Sequence, residues 1–176
     1  MKKLCMIMMG VVALGATTAH ADDPQQQFWQ PPDERKAQAT LPMASGPLWQ
    51  TLLQSKIHYS DKEPHITASL TPDIKALESR SVTVDGFMLP IGTDEYSKHF
   101  LLSKRTPTCP FCPPGEPNEV LDVYADPAVK ATDDMLTMTG TFHLVNETDQ
   151  GIFFVLKNAK QVAKSKPHYK IPFLNP

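Results

Sequence analysis

The sequence is poor in cysteine, in basic charge and in known catalytic motifs. Only three cysteines are present, and Cys5 lies in the N-terminal apolar segment, so Cys109 and Cys112 are the only thiols beyond it. The 17 basic residues are outnumbered by 19 acidic ones, which argues against a nucleic-acid or anionic-lipid partner. The sequence contains no G-x-S-x-G, G-x-x-x-x-G-K-S/T or H-E-x-x-H motif. The enzyme classes that those motifs mark are therefore not indicated.

Long apolar runs are missing except at the N-terminus. Two lysines precede an apolar run over residues 4–16, and A-H-A follows at residues 19–21. This pattern predicts a secretory signal peptide over residues 1–21, cleaved after Ala21. Because the run is shorter than the roughly 20 residues of a membrane span, we expect a periplasmic protein without stable membrane insertion. Cleavage would leave 155 of the 176 residues with a net charge of about −4, enough for one domain.

The chain beyond the signal divides into three parts. Residues 22–43 are rich in Gln, Pro and charge and predict a flexible leader, whereas residues 165–176 predict an irregular tail. Between them, residues 44–164 predict a single domain that opens with one or two short helices. Pro47 suits the first turn of a helix in LWQTLLQSKI, and Thr71 suits the cap of another in TPDIKALES.

A period-two pattern follows the helices and predicts five strands. The first strand alternates over residues 81–88 and is stopped by Pro90, and the others cover residues 98–104, 119–125, 135–145 and 151–159. Gly86 and Gly140 lie inside strands, where glycine commonly marks a bulge that curls a sheet into a barrel. The sequence therefore predicts a mainly β fold, a five-stranded, partly open barrel of the oligonucleotide/oligosaccharide-binding (OB) type, with a β-sandwich as the alternative.

Three segments carry a resemblance to a known family. VTVDGFMLP, then FLLS, then a cysteine with PPGEPNEVLDVY together resemble a family of exported bacterial proteins of unassigned function, over roughly residues 49–159. The resemblance implies a small OB-like barrel in periplasmic proteins and lipoproteins, and it supplies no activity. In that family the cysteine equivalent to Cys109 is often followed two residues later by histidine; here Phe111 and then Cys112 follow.

The segment TPTCPFCPPGEPN, residues 106–118 and here named the CPFC loop, has three interpretations. In an oxidising compartment the default for an isolated cysteine pair is a disulfide, although so short a loop gains little stability from it. A thiol-disulfide oxidoreductase would need a helix directly after the pair, which the prolines at 113, 114 and 117 would break. A metal site is favoured by the rigidity that five prolines give to two soft sulfur ligands.

The metal interpretation needs ligands from other segments, because no second C-x-x-C and no H-x-x-x-H is present. Cys109 and Cys112 would be completed by His143 or His99, with Met88 and Met138 as softer candidates that more often fill a core. Our leading hypothesis is a non-enzymatic protein that binds Zn²⁺ or Cu(I), accessory to envelope metal handling or to a transport-system protein. A partner-binding module with a Cys109–Cys112 disulfide is the first alternative, and an oxidoreductase is the second.

Overall fold

The computed structural model describes residues 30–59, 66–109, 111–145, 147–148 and 150–164. The signal peptide, its cleavage after Ala21 and the tail over 165–176 lie outside the described residues. Within them, three short helices precede the main sheet: α1 Pro32–Gln38, α2 Pro47–Leu52 and α3 Pro72–Lys75. Each begins with a proline, whose fixed φ suits the first helical turn. In this part of the chain every helix falls short of the apolar length that a bilayer-spanning helix requires.

In the described part of the chain, eight strands form two sheets. The strands are β1 Lys56–Tyr59, β2 Ile66–Ser69, β3 Ser81–Pro90, β4 Tyr96–Ser103, β5 Val120–Lys130, β6 Leu136–Leu144, β7 Glu147–Thr148 and β8 Phe154–Lys164. Five of them close into a barrel in the order β3-β4-β5-β8-β6, and β1, β2 and β7 form a small second sheet. The β5–β8 pairing is parallel and the other barrel pairings are antiparallel. The mainly β, OB-like fold class is confirmed, and the barrel is closed rather than partly open.

The barrel interior is the hydrophobic core. Its largest fully buried side chains come from alternate positions of the strands and from α2, and they include Trp49, Phe100, Leu102, Leu121, Met138, Phe142 and Phe154. Trp49 also donates a hydrogen bond from Nε1 to the carbonyl oxygen of Asp85 at 2.7 Å, which attaches α2 to β3. Met88 and Met138 are both buried here, so core packing accounts for them.

Two glycines allow the sheet to curl. A Cβ at Gly140 would lie 2.8 Å from the carbonyl oxygen of Lys157, and the β6–β8 register shifts at this point, between Thr139 and Thr141. A Cβ at Gly86 would lie 2.6 Å from Cγ of Leu102. Cβ atoms essentially never approach other atoms this closely, so each glycine marks a tight contact between strands. The register shift at Gly140 agrees with the bulge predicted there.

The N-terminal part of the domain differs from the sequence-based expectation. Residues 30–43, which we expected to belong to a flexible leader, contain α1, and Gln38 in that helix is fully buried. Three α-helices rather than one or two precede the barrel, and the end of the predicted first helix, Lys56 and Ile57, lies in β1 instead. The physical reason is that α1 docks through polar side chains, which a search for apolar periodicity does not detect.

Candidate functional site

The CPFC loop is closed by a disulfide. Cys109 and Cys112 are bonded, with their Cα atoms 5.3 Å apart, and the backbone N–H of Cys112 donates to the carbonyl oxygen of Cys109 at 3.4 Å. Both cysteines are half-buried, whereas Phe111 between them is 95% exposed. The loop therefore presents an aromatic ring to solvent from a covalently closed turn.

The base of the loop is fixed on two sides. On the barrel side, Ser103 at the end of β4 donates from Oγ to the carbonyl oxygen of Pro114 at 2.9 Å. On the other side, Gln38 donates from Nε2 to the same carbonyl at 3.2 Å, and Glu34 accepts from the backbone N–H of Thr108 at 3.1 Å. The loop is thus held between α1 and the barrel by hydrogen bonds to buried or half-buried groups.

A buried carboxylate joins α1 to the segment that follows the loop. Glu119 is 3% exposed and accepts from Arg35 Nη1 at 2.7 Å and from Arg105 Nε at 2.9 Å. Arg35 also reaches Glu116, with 3.2 Å between Nη2 and Oε1. Such a buried charge is tolerated because it is paired and hydrogen-bonded on several sides. We name these four residues, Arg35, Arg105, Glu116 and Glu119, the arginine–glutamate cluster.

The pKa values of the two carboxyl groups in the cluster are shifted in opposite directions. Burial favours the neutral form of Glu119, but the hydrogen bonds from Arg105 and Arg35 outweigh burial, and the pKa of Glu119 lies below its ordinary value. For Glu116 burial dominates over the attraction of Arg35, and its pKa is raised. The cluster therefore holds one firmly ionised carboxylate at its centre.

His99 lies on the outer face of the barrel. It occupies β4, four residues before Ser103, and its Nε2 is hydrogen-bonded to Oδ1 of Asp122 at 2.7 Å. Its ring stacks on Tyr124, with 4.3 Å between ring centroids and 12° between planes. Tyr124 is the direct cross-strand neighbour of His99 in the β4–β5 pairing. The histidine is thus held by two residues of β5.

His143 has a different partner. It lies near the end of β6, with Nδ1 at 2.9 Å from Oε1 of Glu78. The same carboxylate accepts from the backbone N–H of Leu144 at 2.8 Å. The hydrogen bond from His143 and then that from Leu144 lower the pKa of Glu78. This arrangement attaches the end of β6 to the segment after α3.

The four predicted metal ligands lie in three separate places. The two sulfurs are bonded to each other, His99 is bound to Asp122, and His143 is bound to Glu78. Among the residues that the structure describes, no three His, Cys, Asp or Glu side chains are grouped to hold a metal ion. The donor set does not fit Zn²⁺ or Cu(I) in this state, and metal binding stays a prediction.

The helix that usually follows the cysteine pair of a thiol-disulfide oxidoreductase is absent here. No α-helix follows Cys112: residues 113–119 contain only a bend and the 3₁₀ turn Pro117–Glu119. A helix N-terminus beside the cysteine pair is one of the features that stabilise the reactive thiolate of such enzymes. The oxidoreductase alternative therefore gains no support from the surroundings of the pair.

Sequence reasoning missed the arginine–glutamate cluster and Gln38. One local signal was available, because Glu116 and Glu119 have the spacing of a capping box. Each side chain accepts from the other residue's backbone N–H. The partners on α1 gave no such signal, since Arg35 and Glu119 are 84 residues apart.

Comparisons with known proteins give a family but no activity. Residues 22–155 match the model of a family described as "Protein of unknown function (DUF3299)". No protein of curated function matches. A crystal structure of a DUF3299 family protein from Pseudomonas aeruginosa PAO1 is similar at 18% identity and a TM-score of 0.43, covering 73% of this chain and 91% of that one.

Proposed function

The chain belongs to the DUF3299 family of unknown function, and from that premise we propose that it is a non-enzymatic partner-binding module of the periplasm. Its CPFC loop, closed by the disulfide, places Phe111 into an apolar pocket of another protein. The observation that carries the proposal is the 95% exposure of Phe111 on a loop whose base is fixed by buried polar contacts.

The exposure of Phe111 is unusual within this protein. Among the other large hydrophobic residues of the described chain, the most exposed is Tyr96, at 56%. A fully exposed phenylalanine gains nothing in the free protein, whereas aromatic side chains are frequent anchors of protein–protein interfaces. This contrast supports a role for the ring in binding.

The fixed base of the loop supports the same role. A closed turn with restraints from α1 and β4 loses little conformational entropy when it docks, and affinity rises when that cost is small. Residues 107–114 contain no charged side chain. The partner that fits this tip is therefore a protein with an apolar pocket rather than a charged surface.

Photo-crosslinking in cells tests the proposal. With p-benzoylphenylalanine in place of Phe111, we expect a discrete adduct with one partner protein. The same amino acid in place of Tyr96 is the matched control, because that residue is also exposed but lies on β4 away from the loop's turn. An adduct common to both positions, or none at position 111, would contradict the proposal. Cys112→Ser should deplete the adduct at position 111, since the turn is then open.

Native mass spectrometry of the protein from its own periplasm separates this function from the two other hypotheses. A mass two daltons below the reduced form, with no bound ion and with cysteines that resist alkylation until they are reduced, is expected for the binding module. A bound Zn²⁺ or Cu(I) that disappears in Cys109→Ser would instead support the metal hypothesis. A mixed disulfide trapped by Cys112→Ser would support the oxidoreductase.

A further inference from the structure

A groove lies on the outer face of the barrel, away from the residues used by the proposed function. Its volume is about 630 Å³, and its lining includes Asp122, Tyr124 and Asp126 from β5, Val155 and Lys157 from β8, and Val145. This volume falls within the range of about 300–1,000 Å³ that small-molecule sites occupy. The lining mixes an aromatic ring, apolar side chains and hydrogen-bonding groups, the composition expected of a ligand site.

Strand alternation places the polar groups of the groove side by side. Asp122, Tyr124 and Asp126 point outward, whereas Leu121, Val123 and Ala125 are buried. The groove therefore follows one face of β5. The parallel strand β8 borders it, with Asp122 opposite Val155.

The aromatic ring of the groove is oriented in advance. Tyr124 stacks on His99, and His99 is in turn fixed by the 2.7 Å hydrogen bond to Asp122. Burial and then the Asp122 carboxylate raise the pKa of the Tyr124 phenol. A ring that is already positioned loses little entropy when a ligand packs against it.

The charges around the groove are balanced. Asp126 is paired with Lys98 at 3.3 Å, and Asp122 is bound to His99. Lys157 and Asn158 are exposed, and no hydrogen bond or ion pair joins their side chains to any other part of the described chain. Single-stranded nucleic acid needs a strongly basic groove, which this one is not. A ligand with many hydroxyl groups and no charge suits it better.

From these observations we propose that the groove binds an uncharged saccharide. The apolar C–H face of a sugar ring packs on Tyr124, and its hydroxyl groups bond to Asp122, Lys157 and Asn158. The groove uses the outer face of β5 and β8, the third and fifth strands of the barrel. OB barrels bind both oligosaccharides and oligonucleotides, and the balanced charge of this groove favours an oligosaccharide.

Amide NMR with four defined probes tests the site. The probes are maltotetraose, cellotetraose, the tetramer of N-acetylglucosamine and a twelve-residue oligothymidylate, each titrated into the full mature chain to about 10 mM, which detects millimolar affinity. We expect at least one of the neutral sugars to shift the amide signals of residues 122–126 and 155–158, and the oligothymidylate to leave them unchanged. Shifts caused by none of the sugars, or by the oligothymidylate alone, would overturn the proposal.

Three variants localise the binding. Tyr124→Ala should weaken it at least about tenfold, which corresponds to about 1.4 kcal/mol. Tyr124→Phe keeps the ring and should retain affinity within about threefold. Tyr96→Ala removes another exposed tyrosine on the neighbouring strand and should have no effect. Equal losses in both Tyr124 variants, or none in either while the spectra show a folded protein, would overturn the role of the ring. The crosslink from position 111 should persist in Tyr124→Ala, so the two proposals fail independently.

Discussion

The CPFC loop and the groove on β5 are both fixed in place, but by different interactions. The loop depends on side chains that are far apart in sequence, since Arg35 on α1 and Glu119 after the loop form its ion pair. The groove depends on backbone register, because the β4–β5 pairing puts His99 opposite Tyr124. The comparison shows that one small domain can orient one surface by charged contacts between distant segments and another by strand register and the cross-strand contacts that this register sets. Changes that disturb one surface should therefore leave the other intact.

The largest effect is expected from Glu119→Ala. Two arginines would lose their shared partner in a half-buried place, which should lower the free energy of unfolding by about 3 kcal/mol. Amide signals of the CPFC loop should broaden or shift while those of the groove remain. Urea unfolding and NMR of the same variant measure both quantities.

The matched control for that variant is Glu95→Ala. Glu95 pairs with Lys130 at 3.0 Å, but both side chains are more than 60% exposed, so the loss of stability should be much smaller than for Glu119→Ala. Equal costs for the two variants would show that burial of the cluster contributes nothing.

Gly140→Ala should change the groove and leave the CPFC loop unchanged, which is the reverse of the effect expected from Glu119→Ala. The added Cβ would lie 2.8 Å from the carbonyl oxygen of Lys157, so β8 must move, at a cost of about 1–3 kcal/mol. The groove signals should shift and those of the CPFC loop should not. Gly46→Ala is the control, because no atom lies within 4 Å of its Cβ position. Loop signals that shift as much as groove signals would refute the independence of the two surfaces.

A change of pH should have a smaller effect on the free energy of unfolding. The pKa of Glu119 is lowered in the folded protein, so its ionised form stabilises the fold above the ordinary glutamate pKa of about 4.3, and this contribution is lost as the pH falls through the folded value. Glu116, with a raised pKa, has the opposite sign: its contribution is present at low pH and is lost as the pH rises.

Urea unfolding between pH 6 and pH 3 measures this dependence, and Glu119→Gln is the comparison. The wild-type protein should lose stability on acidification more steeply than the variant, which lacks the depressed carboxyl group. Parallel curves would show that Glu119 does not carry the acid sensitivity.

The barrel could be predicted because its strands follow simple alternation. In D-V-Y-A-D, residues 122–126, apolar side chains point inward and polar ones outward, and the five strands lie near their predicted positions. The pairing of Cys109 with Cys112 could also be anticipated from their spacing in the sequence. The short strands β1, β2 and β7 were not predicted, because four residues or fewer carry too little periodicity.

The partners of the candidate residues could not be predicted. Whether His99 meets Asp122 or a cysteine depends on the register of two strands, which the alternation of either strand alone does not determine. Likewise, Arg35 and Gln38 lie in a polar stretch whose composition is typical of a flexible segment. Their contacts form only when a distant loop supplies the matching carboxylate and carbonyl groups.

The docking of α1 changes where the domain can be cut. A shortened protein that starts at residue 44, the boundary suggested by composition, would keep every strand of the barrel. It would nevertheless lack Arg35 and Gln38, so Glu119 would keep Arg105 as its remaining arginine and the carbonyl of Pro114 would lose one of its two donors. Truncation at that boundary would leave the barrel intact, but the CPFC loop that carries Phe111 would be held from the barrel side alone.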